Sequence, residues 1–314
     1  MKKSISLALV LSMLLLTGCS TTSANTEGSK KSKPETISGQ DFDETAGADS
    51  YSNAGDNEKS RYYINPDFYN MSSDDEITII PKFKTMQQTT EWSCGNASAL
   101  MVMHNLGKTD VTEMELAEAM KSSTDMDIPN GKPGTANNFY EYGTNVKQLY
   151  DYFNNLEGFK VLETSYKESY KDSDLISEKD GSSPADIGNL KPTFSAMSLY
   201  ASENDNSTDK FVEDAKDSYF IKWLTNHLKA GRPVMVEWGD WDGHWQAIIG
   251  YDNNGTPSIG DDILIFADSY DTSDHWQDGY YYYPLERWFY MWKDRNIAQK
   301  PYQIQPYIIV DTEK

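Results

Sequence analysis

Cysteine and positive charge are both scarce in this chain. Two of its 314 residues are cysteines, so a small fold held together by a framework of disulfides is excluded. Lysine and arginine together number 28 against 49 aspartates and glutamates, which gives a formal net charge of −21 spread along the sequence. Because binding of nucleic acid requires a basic surface, nucleic acid is not an expected partner.

Long hydrophobic runs are also lacking, with one exception near the beginning. An uncharged apolar run covers residues 5–16 behind two lysines. It is too short to span a bilayer as a stable helix, so we interpret it as an export signal. The run ends in LTGC at positions 16–19, which resembles the lipobox of bacterial lipoproteins. The resemblance implies that residues 1–18 are removed as a signal peptide and that the sulfur of Cys19 carries a diacylglycerol. We therefore expect an extracytoplasmic protein, anchored to the bacterial cell membrane through Cys19, whose other cysteine has no disulfide partner.

The composition changes after this segment and indicates how the chain is divided. Residues 19–60 contain almost no large apolar side chain, so they cannot bury enough surface to offset the entropy of ordering, and we predict a disordered tether. A flexible chain of about 40 residues has a mean reach of roughly 35 Å, enough to hold a domain off the membrane. Residues 61–314 are long enough for one domain with a substantial core. Positions 165–192 are polar and acidic, which predicts an insertion or lid, or a solvated loop without function.

The hydrophobic periodicity changes from helical to strand-like along the predicted domain. Residues 94–106 are apolar on nearly all sides, which predicts a buried central helix. Further helices are predicted at 111–121, 143–155 and 218–228, with a short one opened by Pro284. Strands are predicted at 233–238, 244–251, 263–268, 279–283 and 303–310. Helices first and antiparallel strands later indicate an α+β fold.

Cys94 stands at the mouth of the predicted central helix, in the stretch QTTEWSCG. A thiol at a helix N-terminus meets the partial positive charge of unpaired amide groups, which favours the thiolate and makes it nucleophilic. Gly95 beside it leaves room for close approach of the backbone. A lone cysteine is commonly a small inert core residue, and that alternative stays open. The position favours a nucleophile, because an inert core residue needs neither a helix mouth nor a base.

A nucleophilic thiol needs a base, and the chain has four histidines. His104 lies ten residues along the same helix, which puts it roughly 15 Å from Cys94 and excludes it. His227 falls in the last turn of a helix, where a histidine commonly satisfies terminal carbonyls. His275 lies in the loop DSYDTSDHWQDG, and His244 begins a strand directly after a glycine.

The register of the following hairpin favours His244. If residues 244–251 and 263–268 pair around a loop centred near Thr256, His244 faces Asp268 to within a residue or two. Side chains that face each other across antiparallel strands have Cβ atoms about 5 Å apart, close enough for a carboxylate to accept the imidazole N–H. Asp268 is then predicted to fix the tautomer of His244 and to stabilise its imidazolium. An ordinary polar pair at a strand end is the alternative.

Two blocks of the sequence, residues 88–107 and 231–270, resemble a known family. Gln88 stands six positions before the cysteine of CGNASALMVMHNLG, and GRPVMVEW, GHWQAIIGYD and IFADSYD follow later. These motifs are similar to the bacteriocin-processing branch of papain-like cysteine peptidases, and more closely to its exported C39-like subgroup. The resemblance implies a papain-like fold, with the nucleophile helix packed on an antiparallel β-sheet.

The same resemblance implies a role for each matching residue. Cys94 would be the nucleophile, His244 the general base and then the general acid, and Asp268 the orienting carboxylate. Gln88 would donate a side-chain N–H to the oxyanion hole together with the backbone N–H of Cys94. Gln87 is a one-residue alternative for the glutamine.

The chain also departs from that branch. Bacteriocin-leader peptidases are usually fused to a membrane transporter, and we find no such segment, so leader processing is not expected here. Asn96 stands where many relatives have proline, a mild change that is not expected to abolish activity. The stretch from about 108 to 217 is longer than expected and unfamiliar.

The predicted function is hydrolysis of peptide bonds by a membrane-anchored cysteine peptidase with a Cys-His-Asp triad, acting on a peptide or protein without a metal or other cofactor. Two alternatives stay open: a Cys-His amidase or transferase acting on cell-wall peptides, and a surface-tethered binding module that has lost turnover. A calcium site formed by Asp268, Asp271, Asp274 and Asp278 is disfavoured, because the spacing lacks the glycine and the bidentate glutamate of a known calcium loop.

Overall fold

An antiparallel sheet forms the centre of the structure. The computed structural model describes residues 66–90, 92–122, 143–167, 198–204, 211–240, 243–270, 278–292 and 305–313. The strands within these ranges are β1 (Ile77–Ile79), β2 (Phe159–Thr164), β3 (Val234–Trp238), β4 (His244–Asp252), β5 (Ile263–Ala267), β6 (Tyr280–Pro284) and β7 (Tyr307–Thr312). They lie in the order β2-β7-β3-β4-β5-β6, and β1 pairs with the end of β4 that β3 leaves uncovered. Every neighbouring pair is antiparallel.

Helices surround this sheet. They are α1 (Cys94–Asn105), α2 (Glu113–Met120), α3 (Val146–Asn155), α4 (Tyr219–Lys229) and α5 (Leu285–Met291), with short 3-10 turns at Phe68–Asn70, Ala215–Asp217 and Ile259–Asp261. Helix α1 packs against β4, α3 against β2 and β7, and α4 against β1, β3 and β4. The predicted α+β class, with the helix that begins at Cys94 packed on an antiparallel sheet, is confirmed.

Helix α1 is buried all round, as its sequence predicts. Every residue from Cys94 to Met103 is buried, so no face of these three turns meets water. Its hydroxyl-bearing Ser98 donates a hydrogen bond to the backbone carbonyl of Trp245 on β4, at 2.9 Å. A helix that is apolar on all sides has to be enclosed by other elements, and here the sheet and the other helices enclose it.

Two helices begin later than the periodicity indicated, because side-chain caps define their first turns. Thr112 and Glu115 form a reciprocal capping box at the start of α2, and Asn145 and Gln148 form one at the start of α3. The predicted starts at 111 and 143 are therefore too early by two or three residues. A capping box satisfies backbone N–H groups that the first helical turn leaves without partners.

Strand β2 was not predicted. Phe159–Thr164 pairs with β7, and a bulge interrupts its ladder after Val161. This strand lies at the edge of the sheet and most of its residues are partly exposed, so buried and exposed residues do not alternate along it as they do in a strand with one buried face. Ser165, the first residue of the predicted insertion, continues from β2 and donates its backbone N–H to the carbonyl of Tyr307 at 3.0 Å. Residues 168–197 lie outside the described residues, and so does most of that insertion.

The predicted signal peptide at 1–18 and the predicted tether at 19–60, including Cys19, lie outside the described residues. Within the ranges that the structure describes, no helix is both long enough and apolar enough to cross a bilayer. Those ranges also contain no cluster of three or more His, Cys, Asp or Glu side chains arranged to hold a metal ion. Asp271 and Asp274 of the disfavoured calcium site are not among the described residues.

Candidate active site

Cys94 is the first residue of α1. It is a free cysteine and is buried, with 6% of its surface exposed. Ser93 occupies the N-cap position but makes no capping hydrogen bond with its side chain. The first N–H groups of a helix have no carbonyl partner within it, so they give the region around the sulfur a partial positive charge.

Gly95 allows two other segments to reach the start of α1. A Cβ atom at this position would lie 2.8 Å from Cβ of Thr144 and 3.3 Å from Cδ1 of Trp245. Trp245 in turn donates its indole N–H to the carbonyl of Thr144 at 2.6 Å. With the bond from Ser98 to the Trp245 carbonyl, these contacts join β4 to the first turns of α1. They therefore bring His244, the residue before Trp245, close to the N-terminus of α1.

His244 and Asp268 are hydrogen-bonded. Nε2 of His244 lies 2.6 Å from Oδ1 of Asp268, and both side chains are almost fully buried. In the strand register Ala247 faces Ala267, so the ladder continues with Asp268 opposite Gln246, two residues from His244 and within the predicted margin. Next to the loop Asp252 faces Ile263, which centres the loop later in the chain than Thr256, and the bulge between Ile248 and Gly250 reverses part of this shift. His244 therefore meets Asp268 diagonally.

Asp268 receives two further hydrogen bonds. The side-chain amide of Gln246 donates to Oδ2 at 2.8 Å, and the backbone N–H of Tyr270 donates to Oδ1 at 2.8 Å. Gln246 is itself oriented by the indole N–H of Trp238, which donates to its Oε1 at 2.7 Å. Both oxygens of the carboxylate are therefore occupied, and the carboxylate cannot turn away from His244 without breaking these bonds.

The environment of His244 favours its protonated form. Burial alone would lower the pKa of His244, but the charge and the hydrogen bond of Asp268 oppose this, followed by the hydrogen bond and charge of Cys94. The net effect raises the pKa of His244 well above its usual value of 6.5. Because Nε2 is bound to Asp268, Nδ1 is the nitrogen left to face the sulfur. An imidazolium in contact with a thiol is the arrangement that stabilises a thiolate.

Replacing Asp268 with asparagine is expected to shift the titration of His244 to lower pH. Asparagine keeps an acceptor oxygen but removes the charge that is the main raising influence, so the midpoint should fall by about one pH unit or more. The pKa of His244 is raised on folding, so the stability that this pair contributes is fully present below about pH 6.5. It is lost as the pH rises through the folded-state pKa.

The midpoint is measured from side-chain 15N signals of histidine-labelled protein. Asp252→Asn, at the other end of β4, is the matched control and should leave the His244 midpoint unchanged. An unchanged midpoint in Asp268→Asn would contradict the assigned role of Asp268.

Gln88 is hydrogen-bonded both to Ser269, which follows Asp268, and to Thr90, in the loop before Cys94. Its backbone N–H donates to the carbonyl of Ser269 at 3.1 Å, and its Oε1 accepts the Ser269 hydroxyl at 2.7 Å. Its Nε2 donates to the carbonyl of Thr90 at 2.6 Å. A carboxamide nitrogen carries two hydrogens, so one N–H remains after this bond. Ser269 directly follows Asp268, so these contacts connect the loop before Cys94 to the strand end that carries the aspartate.

The other histidines lie elsewhere. His104 is in the last turn of α1, and burial is the main influence that lowers its pKa. His227 lies at the end of α4, where its Nε2 is 3.2 Å from Oε1 of Glu163. The prediction that His227 only satisfies terminal carbonyls is therefore incomplete, because its partner is a carboxylate on β2. His275 is outside the described residues.

Sequence reasoning missed three polar residues around this site. Gln246 stands two positions after His244 on the same strand face, and strand periodicity contained the signal that would have found it. Ser269 and Glu113 carry no such signal, because each reaches the loop before Cys94 from a distant part of the chain.

The chain was compared with protein-family models, with solved structures and with curated proteins. A family model described as papain-like cysteine protease AvrRpt2 matches residues 192–277, a range that contains His244 and Asp268 but not Cys94. Among solved structures, a protein from Bacillus anthracis described as a C39-like peptidase is similar to this chain over 76% of this chain and 100% of the other. That similarity has 16% sequence identity and a TM-score of 0.40. None of the curated proteins matches the chain.

Proposed function

We propose that this protein is a cysteine peptidase in which Cys94, His244 and Asp268 form the catalytic triad. The observation that carries the proposal is the position of His244, which Asp268 binds at 2.6 Å and whose neighbour Trp245 contacts the first turns of the buried helix that Cys94 begins. The match of residues 192–277 to a family of papain-like cysteine proteases supports peptide-bond hydrolysis. His244, Asp268, Gln246 and Gln88 are all buried and belong to one hydrogen-bonded arrangement, which an inert core cysteine does not require.

In the proposed reaction the Cys94 thiolate attacks the carbonyl carbon of the scissile peptide bond. The resulting oxyanion accepts hydrogen bonds from the free N–H of Gln88 and from the backbone N–H of Cys94. His244 then transfers the proton on Nδ1 to the leaving nitrogen as the C–N bond breaks, which leaves a thioester. Water then attacks the thioester while His244 takes a proton from the water, and the tetrahedral intermediate breaks its C–S bond. The carboxylic acid leaves, and the Cys94 thiolate and the His244 imidazolium are restored.

The proposal includes the location of the enzyme. The lipobox-like sequence LTGC at 16–19 supports removal of residues 1–18 and attachment of a lipid to Cys19. Residues 19–60 would then serve as a tether of roughly 35 Å mean reach between the membrane and the catalytic domain. An enzyme held in this way would act on peptides or proteins outside the cytoplasm.

Alkylation of the purified protein tests the nucleophile. At neutral pH, iodoacetamide should label Cys94 rapidly, and the fraction of protein labelled should equal the fraction of activity lost on fluorescently labelled casein. Mass spectrometry of a digest locates the adduct, and Cys94→Ala should be inactive before any treatment. Slow labelling at the rate of free cysteine, with no hydrolysis, would overturn the proposal in favour of a binding module.

The substrate in the same assay separates the two enzyme classes. Hydrolysis of muropeptides but not casein by the alkylation-sensitive protein would favour a cell-wall amidase. A binding module could recognise its ligand through exposed aromatic side chains, but five of the described tryptophans are buried: Trp92, Trp238, Trp245, Trp288 and Trp292. Aromatic residues that fill a core are not available to stack on a ligand.

A further inference from the structure

The loop between Gln88 and Cys94 rests on a buried carboxylate that takes no part in the proposed reaction. Glu113 is the first residue of α2 and is 6% exposed. Its Oε2 accepts the hydroxyl of Thr89 at 3.0 Å, and its Oε1 lies 3.3 Å from the backbone N–H of the same residue. These described partners are neutral donors rather than a lysine or arginine.

A carboxylate in this position is costly to keep. Burial raises the pKa of Glu113, and the hydrogen bonds from Ser93 and Thr89 only oppose that effect. An exposed acid would serve equally well for the N-terminus of α2, and Glu115 already completes its capping box. Capping of α2 therefore does not explain why Glu113 is buried at a cost in free energy. The part of the structure that its oxygens contact is the loop between Gln88 and Cys94.

The contacts continue from Glu113 to Gln88 as a chain. Both the backbone N–H and the hydroxyl of Thr90 donate to Oγ of Ser93, at 3.3 and 2.9 Å. Thr89, whose backbone N–H and hydroxyl both bind Glu113, lies directly between Gln88 and Thr90. The Thr90 carbonyl accepts Nε2 of Gln88 at 2.6 Å and the Ser93 hydroxyl at 3.4 Å.

We propose that Glu113 is a positioning residue that sets the orientation of the Gln88 carboxamide through Thr89 and Thr90. This inference rests on the proposed function, in which one N–H of Gln88 binds the oxyanion. Ser269 holds the oxygen of that carboxamide, and the chain from Glu113 holds its nitrogen. Together they leave a single N–H with one fixed direction, which an oxyanion hole requires.

Two reactions of Cys94 separate this role from general structural support. Alkylation by iodoacetamide displaces iodide at a saturated carbon and forms no oxyanion. Acylation by p-nitrophenyl acetate passes through an oxyanion and releases p-nitrophenolate in a measurable burst. A residue that acts on Gln88 should affect the second reaction and spare the first.

Glu113→Ala is therefore expected to slow the acylation burst by about 10- to 100-fold, while the iodoacetamide rate stays within about twofold of the wild type. Glu113→Gln, which keeps one acceptor oxygen, should recover part of the acylation rate. Glu118→Ala, an exposed glutamate on the same helix, is the matched control and should change neither rate.

A double-mutant cycle with Gln88→Ala decides whether the effect passes through Gln88. In that background Glu113→Ala should slow acylation no further, because the group it positions is gone. An undiminished effect there, or an unchanged burst in the single variant, would overturn the inference. If Glu113→Ala does not fold, Thr89→Val removes the hydroxyl that Glu113 binds and takes its place in the cycle. The proposed function itself requires that Cys94→Ala lose the burst. If Cys94→Ala keeps the burst, the proposed function fails. If Cys94→Ala loses the burst but Glu113→Ala behaves like the wild type, only the inference about Glu113 fails.

Discussion

His244→Ala is expected to lower casein hydrolysis on the order of a thousandfold, the largest effect of any single change outside Cys94. Alanine removes both the cation that faces the sulfur and the acid that protonates the leaving nitrogen. Alkylation of Cys94 by iodoacetamide should fall by about tenfold or more, because a free cysteine is only a few per cent thiolate at pH 7. Both rates are measured at neutral pH on protein whose melting temperature has been recorded.

His275→Ala is the control for this prediction and should keep most of the activity. Its position in the loop DSYDTSDHWQDG made it the remaining histidine that sequence reasoning did not exclude. If activity is lost in His275→Ala and kept in His244→Ala, the base has been assigned to the wrong residue.

Gly95→Ala is expected to reduce hydrolysis by about a hundredfold, although it adds only one methyl group beside the nucleophile. The new Cβ would lie 2.8 Å from Cβ of Thr144, closer than real Cβ atoms approach, so α1 or the Thr144 segment must move. The higher helix propensity of alanine is worth less than about 1 kcal/mol, whereas overpacking a buried contact costs about 1–3 kcal/mol. We therefore expect a lower melting temperature as well as a displaced Cys94 sulfur.

A second substitution at Thr144 tests the cause of that loss. Thr144→Gly removes the Cβ and Oγ1 atoms that the new methyl would meet, so the double variant should be more active than Gly95→Ala alone. Thr144→Ser keeps both atoms and should not relieve the loss. Glycine at 144 also loses the hydrogen bond between Thr144 and Ser122, so recovery should be partial. Wild-type activity in Gly95→Ala would show that the close approach does not position Cys94.

The sequence correctly predicted those features that lie within a single helix or strand. The unbroken apolar run after Cys94 predicted a buried helix, and the structure has it at Cys94–Asn105. The alternation and turn residues after position 231 predicted the strands that became β3, β4 and β5. These predictions depend on periodicity within a few consecutive residues, which the sequence displays directly.

Contacts between distant segments could not be predicted in the same way. The two-residue difference in the β4–β5 register arose because the loop is centred later than predicted, and a bulge in β4 reverses only part of that shift; neither feature changes the hydrophobic pattern. Strand β2 was missed because its pairing with β7 depends on a partner almost 150 residues later in the chain. The sequence contained no signal for Glu113, whose contacts with Thr89 join positions 24 residues apart and are visible only in the structure.

The sequence by itself determined the order of elements, the isolated thiol at a helix start and the few histidines able to serve it, because each of these is a property of neighbouring residues. Only the tertiary structure decided which donors hold Asp268 and Gln88, since those donors come from strands and loops far apart in the chain. Hydrogen-bond direction depends on tenths of an ångström between packed elements, and no one-dimensional pattern records such distances.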